Sequence, residues 1–179
     1  MFKAGQIFFT TNKTIWYSQW IRWFEKHDDK DAEYTHVGII TKDMVDDAEI
    51  FESTWPKVRL SNINQYVKFD SKIVLLEHAS PDLVALETMI KKYNGRLYGI
   101  PQLLGMGWLK IFNLKHSPLH QGIICLELAL LWLKMWIKEL CNVDENSLDV
   151  HQCYKICLEH GWKVTYVCDY GTKTWRKAA

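Results

Sequence analysis

The sequence predicts an α+β domain in which an antiparallel sheet packs against helices, and three observations carry that expectation. Short runs rich in Ile, Val, Phe and Thr alternate with polar turns, as over residues 36–41 and 48–54, in the manner of strands joined by tight connections. Elsewhere apolar residues recur at helical spacing, as at Trp16, Trp20, Trp23 and Phe24. The chain has 179 residues, is 48% hydrophobic and contains nine tryptophans, enough apolar material for one core. No repeat, low-complexity tract or long linker interrupts it, so residues 1–179 read as one domain.

In chain order, residues 5–10 predict a strand, and the stripe from Trp16 to Phe24 a helix that ends in the charged loop 25–33. A strand over 36–41 opens with His36, because Val37, Ile39 and Ile40 favour extended, buried backbone. The polar stretch 42–47 turns the chain near residues 44–45, and 48–54 returns as the second strand of an antiparallel hairpin. Residues 57–60 and 72–78 predict further strands. Ser80 as a cap and Pro81 in the first turn start a helix that Asn94-Gly95 stops. Segment 98–121 carries Gly99, Pro101, Gly105, Gly107 and Pro118, and reads as an irregular wall of a cleft. A helix then begins at Cys125, with Leu126, Leu130, Leu133 and Ile137 as its buried stripe. The stretch 126–140 also holds Glu127, Lys134, Lys138 and Glu139, and is shorter than the roughly 20 apolar residues of a membrane span. Ser147 caps a last helix that Gly161 ends, and residues 162–168 form a closing strand.

Two of these elements begin on reactive residues. A thiol at a helix N-terminus, as expected for Cys125, faces unpaired backbone N–H groups and the positive end of the macrodipole, which favour thiolate over thiol. His36 is the candidate base. Folding the hairpin about residues 44–45 brings His36 across from Glu52 or its immediate neighbour, within side-chain reach, and Glu52 is the candidate orienting carboxylate. Glu49 lies on the same hairpin and remains the alternative. Nucleophilic Cys, basic His and an orienting carboxylate together make the thiol-hydrolase arrangement. Tyr34, two residues before His36, is expected on the same strand face, as a hydroxyl that polarises a carbonyl or as a partly buried aromatic. Glu127 falls in the first turn after Cys125, where a carboxylate gains from the macrodipole, and reads as structural. His151, Cys153, Cys157 and His160 superficially suggest zinc. His151 nevertheless points about 200° around the helix from Cys153, so the four do not converge, and neither a metal nor a cofactor is expected.

The order His, Glu, Cys, carried by "THVGII", "IFEST" and "IICLEL", resembles the permuted papain-like proteins of the NlpC-type superfamily, in particular the YiiX-like branch. The opening "AGQIFFTTNKTIWYSQWIRWF" and the segment "NGRLYG" are similar to that branch as well, and the matches together span residues 4–130. Two positions depart from it: Gln6 stands where the branch usually has Asp, and Leu126 where Ser usually follows the cysteine. The resemblance implies a circularly permuted papain-like fold and a cysteine peptidase or amidase that attacks a carbonyl through a thioacyl-enzyme. The substrate it implies is a peptide or acyl-amide, with peptidoglycan stem peptide the first candidate. A lipid acyl hydrolase or acyltransferase on the same residues, and a binding module that kept the fold without turnover, remain open beside it.

Charge and cysteine content narrow the surroundings. Twenty-two basic residues against 21 acidic ones give no bulk field for nucleic acid, and no nucleic-acid partner is expected. The tryptophan stripe suits a bilayer interface, yet only Arg22 and Lys26 are near its polar face, so membrane contact is not favoured. Five cysteines, an odd number, and an opening without a signal-peptide pattern point to reduced thiols in the cytoplasm. A cell-wall substrate would then be reached by lysis, particle delivery or an unconventional exit.

Overall fold

The computed structural model describes residues 2–11, 19, 32–68, 71–79, 81–99, 122–143, 148–169, 172 and 174–178. Its strands are β1 (Ile7–Thr11), β2 (His36–Ile40), β3 (Glu49–Thr54), β4 (Lys57–Asn62), β5 (Lys72–Glu77), β6 (Lys163–Cys168) and β7 (Trp175–Lys177). They form one sheet in the order β4-β3-β2-β1-β5-β6-β7, each pair of neighbours antiparallel. The helices are α1 (Asn64–Lys68), α2 (Leu83–Tyr93), α3 (Cys125–Leu133) and α4 (Val150–Glu159), with a 3₁₀ turn at Lys138–Asn142. The class is therefore α+β. Among the described residues, no helix is long and apolar enough to cross a membrane.

Both sheet faces are covered at the centre, which is why the inner strands are continuous apolar runs while the edge strand β4 alternates. Ile7, Phe9, Val37, Ile39, Phe51, Val74 and Leu76 face the main core with residues of α2, α3 and α4. Phe8, Ile40, Ile50, Ile73 and Leu75 face a second cluster with Phe2, Ile63 and Tyr66 of α1. Helix α3 lies against β2 and β3. It is apolar nearly all round, and Trp132, fully buried, donates its indole N–H to the Gly5 carbonyl at 3.3 Å.

Element ends differ from the sequence expectation where a better local hydrogen bond exists. Helix α2 is capped by Asp82, whose side chain accepts from the Ala85 N–H, rather than by Ser80, which lies outside the described residues. Helix α4 is capped by Asp149 in a reciprocal box with Gln152, and Ser147 is likewise outside them. The apolar run after Cys125 leaves the helix at Leu133, turns, and resumes as the 3₁₀ turn, although Leu126, Leu130, Leu133 and Ile137 are all buried as expected. Helix α1 and strand β7 carry no sequence signal strong enough to have been expected. The Trp16–Phe24 stripe and most of segment 98–121 lie outside the described residues.

Candidate active site

The β2–β3 hairpin pairs Gly38 with Glu52, Ile39 with Phe51 and Ile40 with Ile50. Glu52 thus stands across from Gly38, two residues along from His36, rather than directly across from His36 or one residue away. The shift of two preserves the face, so Glu52 reaches His36 diagonally. The geometry allows it: His36 Nε2 and Glu52 Oε2 are 2.9 Å apart, and both residues are buried. Gly38 helps by leaving room, since a Cβ there would come within 2.5 Å of the Phe8 ring, which sits beside His36. Glu49 is elsewhere. It accepts from Thr41 Oγ1 at 2.7 Å and pairs with Lys42, so Glu52 and not Glu49 meets the histidine.

Cys125 is the first residue of α3, and the residue before it, Ile124, makes no side-chain cap hydrogen bond among the described residues. The extended segment before it is fixed on three sides. Ile123 donates to the Leu97 carbonyl at 3.1 Å, its own carbonyl accepts from the Gly99 N–H at 3.3 Å, and the Ser53 hydroxyl donates to the same carbonyl. Gly122 makes this approach possible. Its φ is +92°, and a Cβ would lie 2.6 Å from the Gly99 nitrogen. His36 opens β2, and the helix that Cys125 begins packs against that strand. Glu52 is the hydrogen-bond partner of the imidazole at Nε2, and Cys125 acts on the ring by raising its pKa together with Glu52. With Nε2 directed at Glu52, Nδ1 is the nitrogen through which a proton would be exchanged with a thiol.

Electrostatics follow from this placement. Burial opposes a charged imidazolium, but hydrogen bonds and attraction from Cys125 and Glu52 outweigh it and hold the His36 pKa at about 10. Burial likewise opposes the Glu52 carboxylate, and hydrogen bonds from His36, Ser61 and Tyr66 overcome it, bringing its pKa to about 2. At neutral pH the site therefore holds an imidazolium against a carboxylate. Glu52 is enclosed on both oxygens. Oε1 accepts from Ser61 Oγ at 2.6 Å and Gln65 Nε2 at 2.9 Å, with Arg59 Nε 3.6 Å away, and Oε2 accepts from the Tyr66 hydroxyl besides His36.

Tyr34 does not share the face of His36. Strand β2 begins only at His36, so two-residue alternation does not extend back to position 34, and the Tyr34 ring lies among Phe9, Tyr154 and His151 on the helical side. The two departures from the family pattern are remote from the histidine or turned into the core. Gln6 precedes β1, whereas Thr10 near that strand's other end is the residue paired with His36, and the Gln6 amide bonds Glu77 and Thr165. Leu126 packs in the main core. In α4, Cys153 and Cys157 are both buried, and Cys157 with burial pushes the Cys153 thiol up, while His151 Nδ1 accepts from the Glu33 N–H at 3.4 Å.

Arg59, Ser61, Gln65 and Tyr66 did not stand out in the sequence. A signal for the first two exists: the tight turn at Trp55-Pro56 pairs Glu52 with Arg59 and Ile50 with Ser61, putting both on the Glu52 face. Gln65 and Tyr66 sit on a five-residue helix, too short for periodicity to reveal. Neither models of known protein families nor curated proteins match the chain.

Proposed function

We propose that the chain is a cysteine hydrolase of the permuted papain-like, NlpC-type kind, of the YiiX-like branch, cleaving an amide bond through a thioacyl-enzyme. The observation that carries this reading is the buried His36 held by Glu52 at 2.9 Å on a strand against which the helix begun by Cys125 packs. The permuted order is supported by a histidine–carboxylate hairpin that precedes the cysteine helix in the chain and packs against it.

In the proposed reaction the Cys125 sulfur attacks the amide carbonyl, with His36 holding the proton the thiol gives up. The sulfur–carbon bond forms and the oxyanion draws on the Cys125 backbone N–H at the helix start. As the carbon–nitrogen bond breaks, the imidazolium passes its proton to the departing amine. Water then attacks the thioester, His36 takes its proton and returns it to sulfur, and the carboxylic acid leaves. Glu52 keeps the ring in register throughout. The substrate is a peptide or acyl-amide, with peptidoglycan stem peptide the first candidate by resemblance. A cytoplasmic site of action is part of the proposal, in keeping with five cysteines that are all free thiols.

Incubation with purified stem peptides and a panel of peptide amides, acid-quenched and read by mass spectrometry, tests it. The expected result is a new amine terminus and an acyl adduct on Cys125, both lost in Cys125→Ala. Cleavage that persists in Cys125→Ala contradicts the reading.

A further inference from the structure

The His36–Glu52 pair does not hold itself in place. A glutamate side chain has three rotatable bonds, and directing one of its oxygens at His36 requires contacts that fix the carboxylate plane. Those contacts come from one continuous stretch, the end of β4 and helix α1. Ser61 and Gln65 take Oε1, leaving Oε2 to Tyr66 and His36. Tyr66 touches both members of the pair. Its hydroxyl donates to the same oxygen that receives His36, and its ring stacks on the imidazole with centroids 5.4 Å apart and planes inclined by 28°. It is itself buried, at 5% exposure, so neither contact is diluted by solvent.

We propose that Tyr66, seconded by Ser61, is a positioning residue that acts through Glu52 to aim His36 at the Cys125 sulfur. The inference rests on the cysteine-hydrolase reading and adds to it the element that sets the histidine. The ring fixes the tilt of the imidazole and the hydroxyl fixes the carboxylate oxygen, so the β4–α1 segment serves the site although none of its residues touches the sulfur in this scheme.

The test compares Cys125 alkylation by iodoacetamide across pH in the wild type, Tyr66→Phe, Ser61→Ala and His36→Ala, with melting temperature measured alongside. Tyr66→Phe keeps the ring stack and removes only the hydroxyl. Ser61 is half-buried on an edge strand, so Ser61→Ala folds even if the first variant does not. The expected result is a loss of at least about threefold in Cys125 rate at neutral pH in both variants, with a displaced pH profile. A change in melting temperature with the wild-type rate and profile in both overturns the positioning role. Identical alkylation in the wild type and His36→Ala removes the pair itself, and the catalytic reading falls together with this one.

Discussion

At the scale of single residues, the centre of the account is a buried charge pair, and its stability has a definite pH signature. Glu52 titrates at about 2 against an ordinary 4.5, so its contribution is present above about pH 4.5 and is lost as pH falls towards 2. His36 titrates at about 10 against an ordinary 6.5, so its contribution is complete below pH 6.5 and is lost as pH rises towards 10. Between these windows the pair contributes fully. Urea unfolding from about pH 3 to about pH 11 should give a plateau that falls on both sides, and His36→Ala should flatten the alkaline fall. Glu52→Ala leaves the imidazolium buried without its carboxylate and should cost about 3–5 kcal/mol at neutral pH. A loss under about 1 kcal/mol would mean that the pair is not buried as described. The placement of His36 at a strand start, Glu52 on the partner strand and Cys125 at a helix start was legible in the sequence, because each begins or lines a strongly patterned element. The face of Tyr34 was not legible, because alternation does not hold before the first residue of its strand, and of its two readings the buried aromatic agrees with its ring contacts.

At the scale of elements, the cysteine is placed by a turn as much as by its helix. Gly122 holds a left-handed backbone against Gly99, and the chain then bridges to Tyr98 before α3 begins. Gly122→Ala combines an unfavourable φ with a contact of 2.6 Å to backbone, and should cost about 1–3 kcal/mol and several degrees of melting temperature. It should also slow Cys125 alkylation, because the strain is relieved by moving the residues that seat the thiol. Gly95→Ala is the control. Its φ is +87° with nothing within 4 Å of the added carbon, so it should show the backbone cost and leave Cys125 unaffected. Equal effects of the two on Cys125 would contradict the seating role. The hairpin was predicted to turn near residues 44–45, and the observed register turns about Val45, so a small error in centre moved the partner of His36 by up to two positions. Polar turn residues set a hairpin only to that accuracy when the loop is longer than a two-residue turn.

At the scale of the whole molecule, the sheet joins two clusters whose residues are far apart in sequence. The helical side carries Cys125, the other side carries Tyr66, and the strand end at His36 is where they meet. Strand and helix types were legible because period-two and period-3.6 patterns are local. The strand order, the burial of both sheet faces and the enclosure of Glu52 were not, because they depend on contacts between segments with no shared local signal. The same architecture gives the five cysteines distinct surroundings: Cys141 is exposed, Cys125, Cys153, Cys157 and Cys168 are buried, and among the described residues Cys125 is the cysteine that acts on the His36 pKa. Site-resolved alkylation of all five, followed across pH in the wild type and in His36→Ala, therefore reports on the cysteine–histidine pair itself. Cys125 should react ahead of exposed Cys141 below about pH 7 and lose that lead when His36 is removed. A Cys125 that reacts no faster than Cys141, or equally fast without His36, would contradict that pairing.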